Sequence, residues 1–148
     1  MSELLDTYLR QLRLPTFHEN YQPFAVDAAR QNLDYPRYLL ALAEQEVLRR
    51  EQNRITRRIK AARFPVFKEL ADFDFSALPN LNKARILDLA RGEYIQRRDP
   101  IIFIGNPGLG QSHLATGLAL AACRQGYKER FWTTASLVND LMQAQNET

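Results

Sequence analysis

The stretch Gly105-Asn106-Pro107-Gly108-Leu109-Gly110-Gln111-Ser112 has the residue types and spacing to bind phosphate. Glycines let consecutive backbone N–H groups curl inward around anionic oxygens, and a helix that starts where the turn ends adds the positive end of its dipole. Ser112 stands where the pattern G-x-x-x-x-G-K-[ST] places the hydroxyl that binds Mg²⁺. His113 comes next, in the first turn of that helix, where it either lines the phosphate site or packs.

One position departs from the pattern. Gln111 replaces the lysine. An amide donates hydrogen bonds but brings no charge. Charge-assisted bonds contribute ~1.5–3 kcal/mol against ~1 kcal/mol for neutral ones, so nucleotide binding should weaken by tens of fold. Hydrolysis should suffer more, because the lysine also stabilises charge during phosphoryl transfer. The plainer reading of a lone glycine turn is a connector that binds nothing. A strand before it and a helix after it favour descent from a phosphate loop.

A second set of residues could contact an anion of another kind. Arg49, Arg50, Arg54, Arg57, Arg58, Lys60 and Arg63 are seven basic residues in fifteen, with Glu51 the one acid among them. On a helix, Leu48, Ile55, Ile59 and Ala62 make one apolar stripe, Arg50, Arg54, Arg57 and Arg58 project opposite to it, and Arg49, Lys60 and Arg63 fill the flank. Such a face is either merely solvated or in contact with phosphates. No aromatic residue interleaves there, so duplex backbone is the better match than stacked single strands.

Other residues that could do chemistry are read as structural. Cys123, the single cysteine, excludes an internal disulfide and, with only His18 and His113 beside it, leaves no zinc-ligand set. It reads as a packed residue of a buried helix. His18, between Phe17 and Glu19, reads as a helix-surface residue. No catalytic residue is assigned.

These groups must be positioned by a fold that 148 residues can build. With 45% hydrophobic and 25% charged residues, the composition is that of a globular protein and argues against disorder. Charges break up MSELLDTYLRQLRLP, so no secretory signal is read there, and LATGLALAAC is half the length of a membrane span. We therefore expect a cytoplasmic protein without a membrane partner. The net charge of +3 is a mild bias toward anionic partners.

The pattern predicts helices over residues 3–12, 15–31 and 35–63, with Pro15 starting the second, Asp34 capping the third and Phe64-Pro65 ending it. Residues 64–80 read as an irregular connection packed around aromatic anchors, and 82–90 as a helix closed by Gly92. From residue 101 the expected order is strand (101–104), glycine turn, helix (112–125), strand (129–134) and helix (135–144), the last with Thr134 as its cap. The expected class is thus α/β. A helical adapter region, 1–95, precedes the start of a parallel-sheet phosphate-loop domain, 96–148.

GNPGLGQSHLATGLALAACRQGY followed by RFWTTASLVNDLM resembles the IstB-like helper ATPases of bacterial insertion sequences, relatives of the helicase loaders of replication. LRQLRLPTF, IKAARFP and ILDLARGEYI are similar to that family's adapter region, so the likeness spans nearly the whole chain. The resemblance implies an AAA+ ATPase that assembles on DNA and directs a transposase. It implies an ATP and Mg²⁺ site at Gly105–Ser112, double-stranded DNA against the basic helix, and association with itself or with an intact homologue. The family pattern runs on past residue 148 through paired acids, sensor and arginine-finger residues. With Gln111, this leads us to expect a truncated helper with weakened nucleotide binding and lost hydrolysis. The alternative is a helical DNA- or protein-binding module whose loop is vestigial.

Overall fold

Helix starts follow local chemistry in the computed structural model, which describes residues 1–147. Helix α1 is Ser2–Gln11, α2 Pro15–Gln31 and α3 Tyr35–Ala62. Pro15 opens α2, where a missing N–H costs nothing. Asp34 accepts the Arg37 N–H at 2.9 Å, the N-cap that the sequence predicts. Arg63, at φ +55°, closes α3 in the left-handed region ahead of Phe64-Pro65.

The chain forms two compact units, Met1–Arg54 and the residues from Ile55 onward, with α3 running through the boundary. In the first unit Leu9, Thr16, Ala28, Leu42 and Glu46 are buried. Leu14, the residue before α2, offers no capping side chain. A distant residue does the work instead: the Thr16 N–H donates to Glu46 Oε2 at 3.1 Å, and Arg50 Nε donates to Glu46 Oε1 at 3.0 Å.

Burial pushes the Glu46 carboxyl up, but the bonds from Thr16 and Arg50 outweigh it and hold the group below the usual carboxylate range. A depressed folded-state pKa adds stability that is present above the unfolded value and is lost as pH falls through the folded one. Glu46→Gln should therefore cost about 2 kcal/mol at neutral pH. The gap between parent and variant should close as pH drops below about 4.5, the ordinary value. Urea melts at pH 7 and pH 3 check this, and an equal gap at both would contradict it.

The second unit is organised around α6, Gln111–Arg124, whose Leu114, Thr116, Gly117, Leu118, Leu120, Ala122 and Cys123 are buried. Before it come 3₁₀ turns at Leu70–Asp72 and Phe75–Ala77, then α4, Lys83–Leu89, and α5, Glu93–Arg97. Asn82 caps α4 by accepting the Arg85 N–H at 3.1 Å. Gly92, at φ +83°, is left-handed as expected, but it also begins α5, an element that the sequence pattern did not suggest. After α6 comes α7, Thr134–Asn146, capped by Thr133 and not Thr134. Cys123 is packed as read, and burial pushes its thiol up.

The expected α/β class is overturned: among the described residues there is no strand and no parallel sheet. Neither Ile101–Ile104 nor residues 129–133 form regular structure, and Thr134 already belongs to α7. A strand exists only as part of a ladder, and β-branched composition cannot supply the partner. Here the Phe131 N–H donates to the Ala62 carbonyl at 2.8 Å, at the end of α3. Ile102 and Ile104 are 77% and 91% exposed.

The stripe on α3 also needs correction. Ala62 is buried and Ile55 and Ile59 are half-buried, but Leu48 is exposed. No helix among the described residues is long and apolar enough to cross a membrane.

Candidate phosphate site and basic residues

The loop lies wholly in the second unit, and its glycines are required for different reasons. Gly108 sits at φ +85° with open space around it, so only its backbone conformation excludes a side chain. Gly110, at φ +90°, is the N-cap of α6, and a Cβ there would stand 2.6 Å from Phe73 Cε2. A Cβ on Gly105 would stand 2.9 Å from Gln111 Nε2. The first intrahelical bond of α6 runs from the Leu114 N–H to the Gly110 carbonyl at 3.0 Å. The amides of Gln111, Ser112 and His113 therefore precede the helical ladder and remain available to an acceptor. Asn106, Pro107, Leu109 and Ser112 are exposed around the same turn.

Gln111 is half-buried, its amide laid back over Gly105. It borders a cavity of about 320 Å³ together with Leu78, Pro79, Phe103, Leu109 and Leu114. A second depression, of about 350 Å³, lies on the side of Gly108–Gly110 and is bordered by Asp72, Asp74 and His113. The Asp74 carboxyl is held below its usual range by hydrogen bonds from the Ser76 hydroxyl and amide. Neither cavity is lined by a lysine or an arginine. Positive potential beside the turn therefore comes from backbone amides and the α6 dipole.

His113 has a structural task. Its Nε2 donates to the Glu69 carbonyl at 2.6 Å, and its ring meets Phe73 edge-on at 5.2 Å. Only its backbone amide belongs with the turn. Glu69 also pairs with Arg124 at the far end of α6, and this bond holds the Glu69 carboxyl below its usual range. Residues 69–75 thus brace the loop through Glu69, Leu70 and Phe73. Phe73 is one of the aromatic residues of the 64–80 connection that the sequence reads as packed, but neither Glu69 nor Leu70 carried a local signal.

The basic residues do not form one outward face. In the first unit Arg49 pairs with Glu19 at 2.6 Å and Arg54 with Glu51 at 3.2 Å. Arg50 is bound on two sides, by Glu46 and by the Arg13 carbonyl at 2.9 Å. In the second unit Arg58 is half-buried and donates to the Cys123 carbonyl at 2.9 Å, toward the core and not away from it. Arg57, Lys60 and Arg63 are exposed. Glu19, the Arg13 carbonyl and the Cys123 carbonyl lie far from their arginines in sequence, so helical spacing within α3 could not find them; Glu46, four residues before Arg50 on α3, is the exception.

A glycine turn at the start of a helix is a geometry that several kinds of protein share, and comparison with known proteins narrows it. The sequence model of the IstB-like ATP binding protein family matches residues 7–148. The chain is 35% identical over 147 residues to the "Insertion sequence IS5376 putative ATP-binding protein" of Geobacillus stearothermophilus, covering 99% of this chain and 59% of that one. It is 36% identical over 144 residues to the "Putative insertion sequence ATP-binding protein y4iQ/y4nD/y4sD" of Sinorhizobium fredii, covering 97% and 48%. It is 30% identical over 143 residues to the "Insertion sequence IS21 putative ATP-binding protein" of Pseudomonas aeruginosa, covering 97% and 54%. The chain spans about half to three-fifths of the length of these relatives. Its similarity to them runs through both the helical first unit and the glycine turn, and on that basis the chain belongs to the family of IstB-like ATP-binding proteins of insertion sequences.

Proposed function

We propose that Gly105–Gly110 and the first amides of α6 hold the phosphates of ATP in a helper protein of DNA transposition, with affinity reduced and hydrolysis lost at Gln111. The observation that carries this reading is the turn itself, left-handed at Gly108 and Gly110 and opening onto the unpaired amides of a fourteen-residue helix. The Ser112 hydroxyl, exposed in the first turn of α6, would serve Mg²⁺. Bound Mg²⁺ would neutralise phosphate charge that no side chain lining the two cavities neutralises.

Gln111→Lys should tighten Mg²⁺·ATP binding by ~1–2 kcal/mol, roughly five- to thirtyfold, by replacing a neutral donor with an ammonium. Calorimetric titration of both chains, with phosphate release followed in parallel, checks this. Equal affinities, or turnover by the parent chain, would overturn the reading. That no lysine or arginine lines either cavity favours one second reading, a helical binding module with a vestigial loop. Under that reading neither chain binds ATP.

The partners proposed are double-stranded DNA, a transposase and further copies of this chain or a homologue, in the cytoplasm. For DNA, exposed Arg57, Lys60 and Arg63 are the stronger candidates in the second unit. Arg49 and Arg54, in the first, are engaged only in exposed ion pairs, which contribute ~0–1 kcal/mol and exchange easily for phosphate. Arg50 and Arg58 serve the fold.

A further inference from the structure

Lys128, Glu129, Arg130, Phe131 and Trp132 alternate in exposure along a segment with no regular structure: Lys128, Arg130 and Trp132 are exposed, while Glu129 and Phe131 are half-buried. The segment is pinned to the last turn of α3. The Phe131 N–H donates to the Ala62 carbonyl at 2.8 Å, and Arg130 Nη1 donates to the Ala61 carbonyl at 3.4 Å. That turn also carries Lys60 and Arg63, both exposed. The Arg130 guanidinium lies 5.1 Å from the Trp132 ring centroid, and Trp132 Nε1 donates to Asp140 Oδ2 at 2.7 Å, which fixes the indole with 42% of the residue exposed.

We infer that this segment is a binding surface for single-stranded nucleic acid, with Trp132 as a stacking platform for an unpaired base and with Lys128 and Arg130 as phosphate contacts. A held, exposed indole beside cations is what such binding needs, since every base has a π-face and the backbone is anionic. The one carboxylate inside the run, Glu129, belongs to the half-buried set, and Asp140 accepts the indole N–H. This goes beyond the ATP and duplex reading above: it uses other residues and another form of nucleic acid, and it stands if the glycine turn binds nothing.

Trp132 is the single tryptophan of the chain, so its emission reports on this site alone. Oligothymidylate and oligouridylate of twenty nucleotides, and a duplex of equal length, would be titrated into the full chain. Tryptophan quenching would be read beside the anisotropy of the labelled strand. The expected result is quenching by one or both single strands and not by the duplex, with Trp132→Leu weakening the strand that binds roughly five- to hundredfold. Lys128→Ala, at an exposed position, should lower the salt slope by ~0.7. Circular dichroism shows whether either variant keeps its helices, and Lys128→Ala supplies the decision if Trp132→Leu does not fold. No binding of either strand, binding without quenching, or equal quenching by the duplex would overturn the inference.

Discussion

Gly117→Val should remove roughly 3 kcal/mol of stability from the second unit, the upper end of what overpacking a core costs. Gly117 is buried in α6, and a Cβ there would stand 2.8 Å from Leu70 Cγ and Cδ2 and 2.9 Å from the Leu70 backbone nitrogen. A side chain could swing aside, but a backbone nitrogen cannot. In an exposed helix Gly→Ala is worth up to about 1 kcal/mol in the favourable direction, so Gly117→Ala is a sharp control. Urea denaturation of both variants measures the effect, and a stabilised Gly117→Ala would contradict the packing described. The change should also reach the loop, because the residues flanking Leu70 brace it: Glu69 holds His113, and Phe73 lies against Gly110.

Affinity for duplex DNA should fall roughly forty-fold between 50 and 200 mM salt, because three phosphate contacts at ~0.9 each give a log–log slope of ~2.7. The three proposed contacts are Arg57, Lys60 and Arg63. Arg57→Ala/Lys60→Ala/Arg63→Gly should flatten the dependence, with glycine used at 63 because that residue sits at φ +55°. Fluorescence anisotropy across a salt series provides the measurement. A slope near zero in the parent chain, or an unchanged slope in the triple variant, would overturn the proposal that Arg57, Lys60 and Arg63 contact DNA. Arg58→Ala should instead lower stability, since its partner is the buried turn at Cys123.

What the sequence made legible was local. Pro15 starts α2 through its own fixed backbone and Asp34 starts α3 through a bond three positions away, and the ends of α1, α2 and α3 fall within a residue of the pattern. The glycine turn was legible for the same reason: its conformation is written in Gly108 and Gly110 themselves. The strands were not, because Ile101–Ile104 carries β propensity but a ladder partner is a non-local fact. The same limit applies to the arginines. Spacing at about 100° per residue separates the faces of α3, yet Arg50 and Arg58 are claimed by the carbonyls of Arg13 and Cys123 from outside that helix. Helix α5, five residues long, is too short to display a period. His113 was left open between lining and packing, and a carbonyl 44 positions away decides for packing.

On the proposed reading the Gly105–Gly110 turn still cradles a triphosphate. Amide chemical shifts of ¹⁵N-labelled chain test it most directly, recorded with Mg²⁺·ATP and with adenosine at equal concentration. The amides of Gly105, Gly108, Gly110, Gln111 and Ser112 should move with ATP and stay in place with adenosine, and in Gln111→Lys they should move at lower ATP concentration. Shifts confined to other parts of the chain, or the same shifts with adenosine as with ATP, would contradict it.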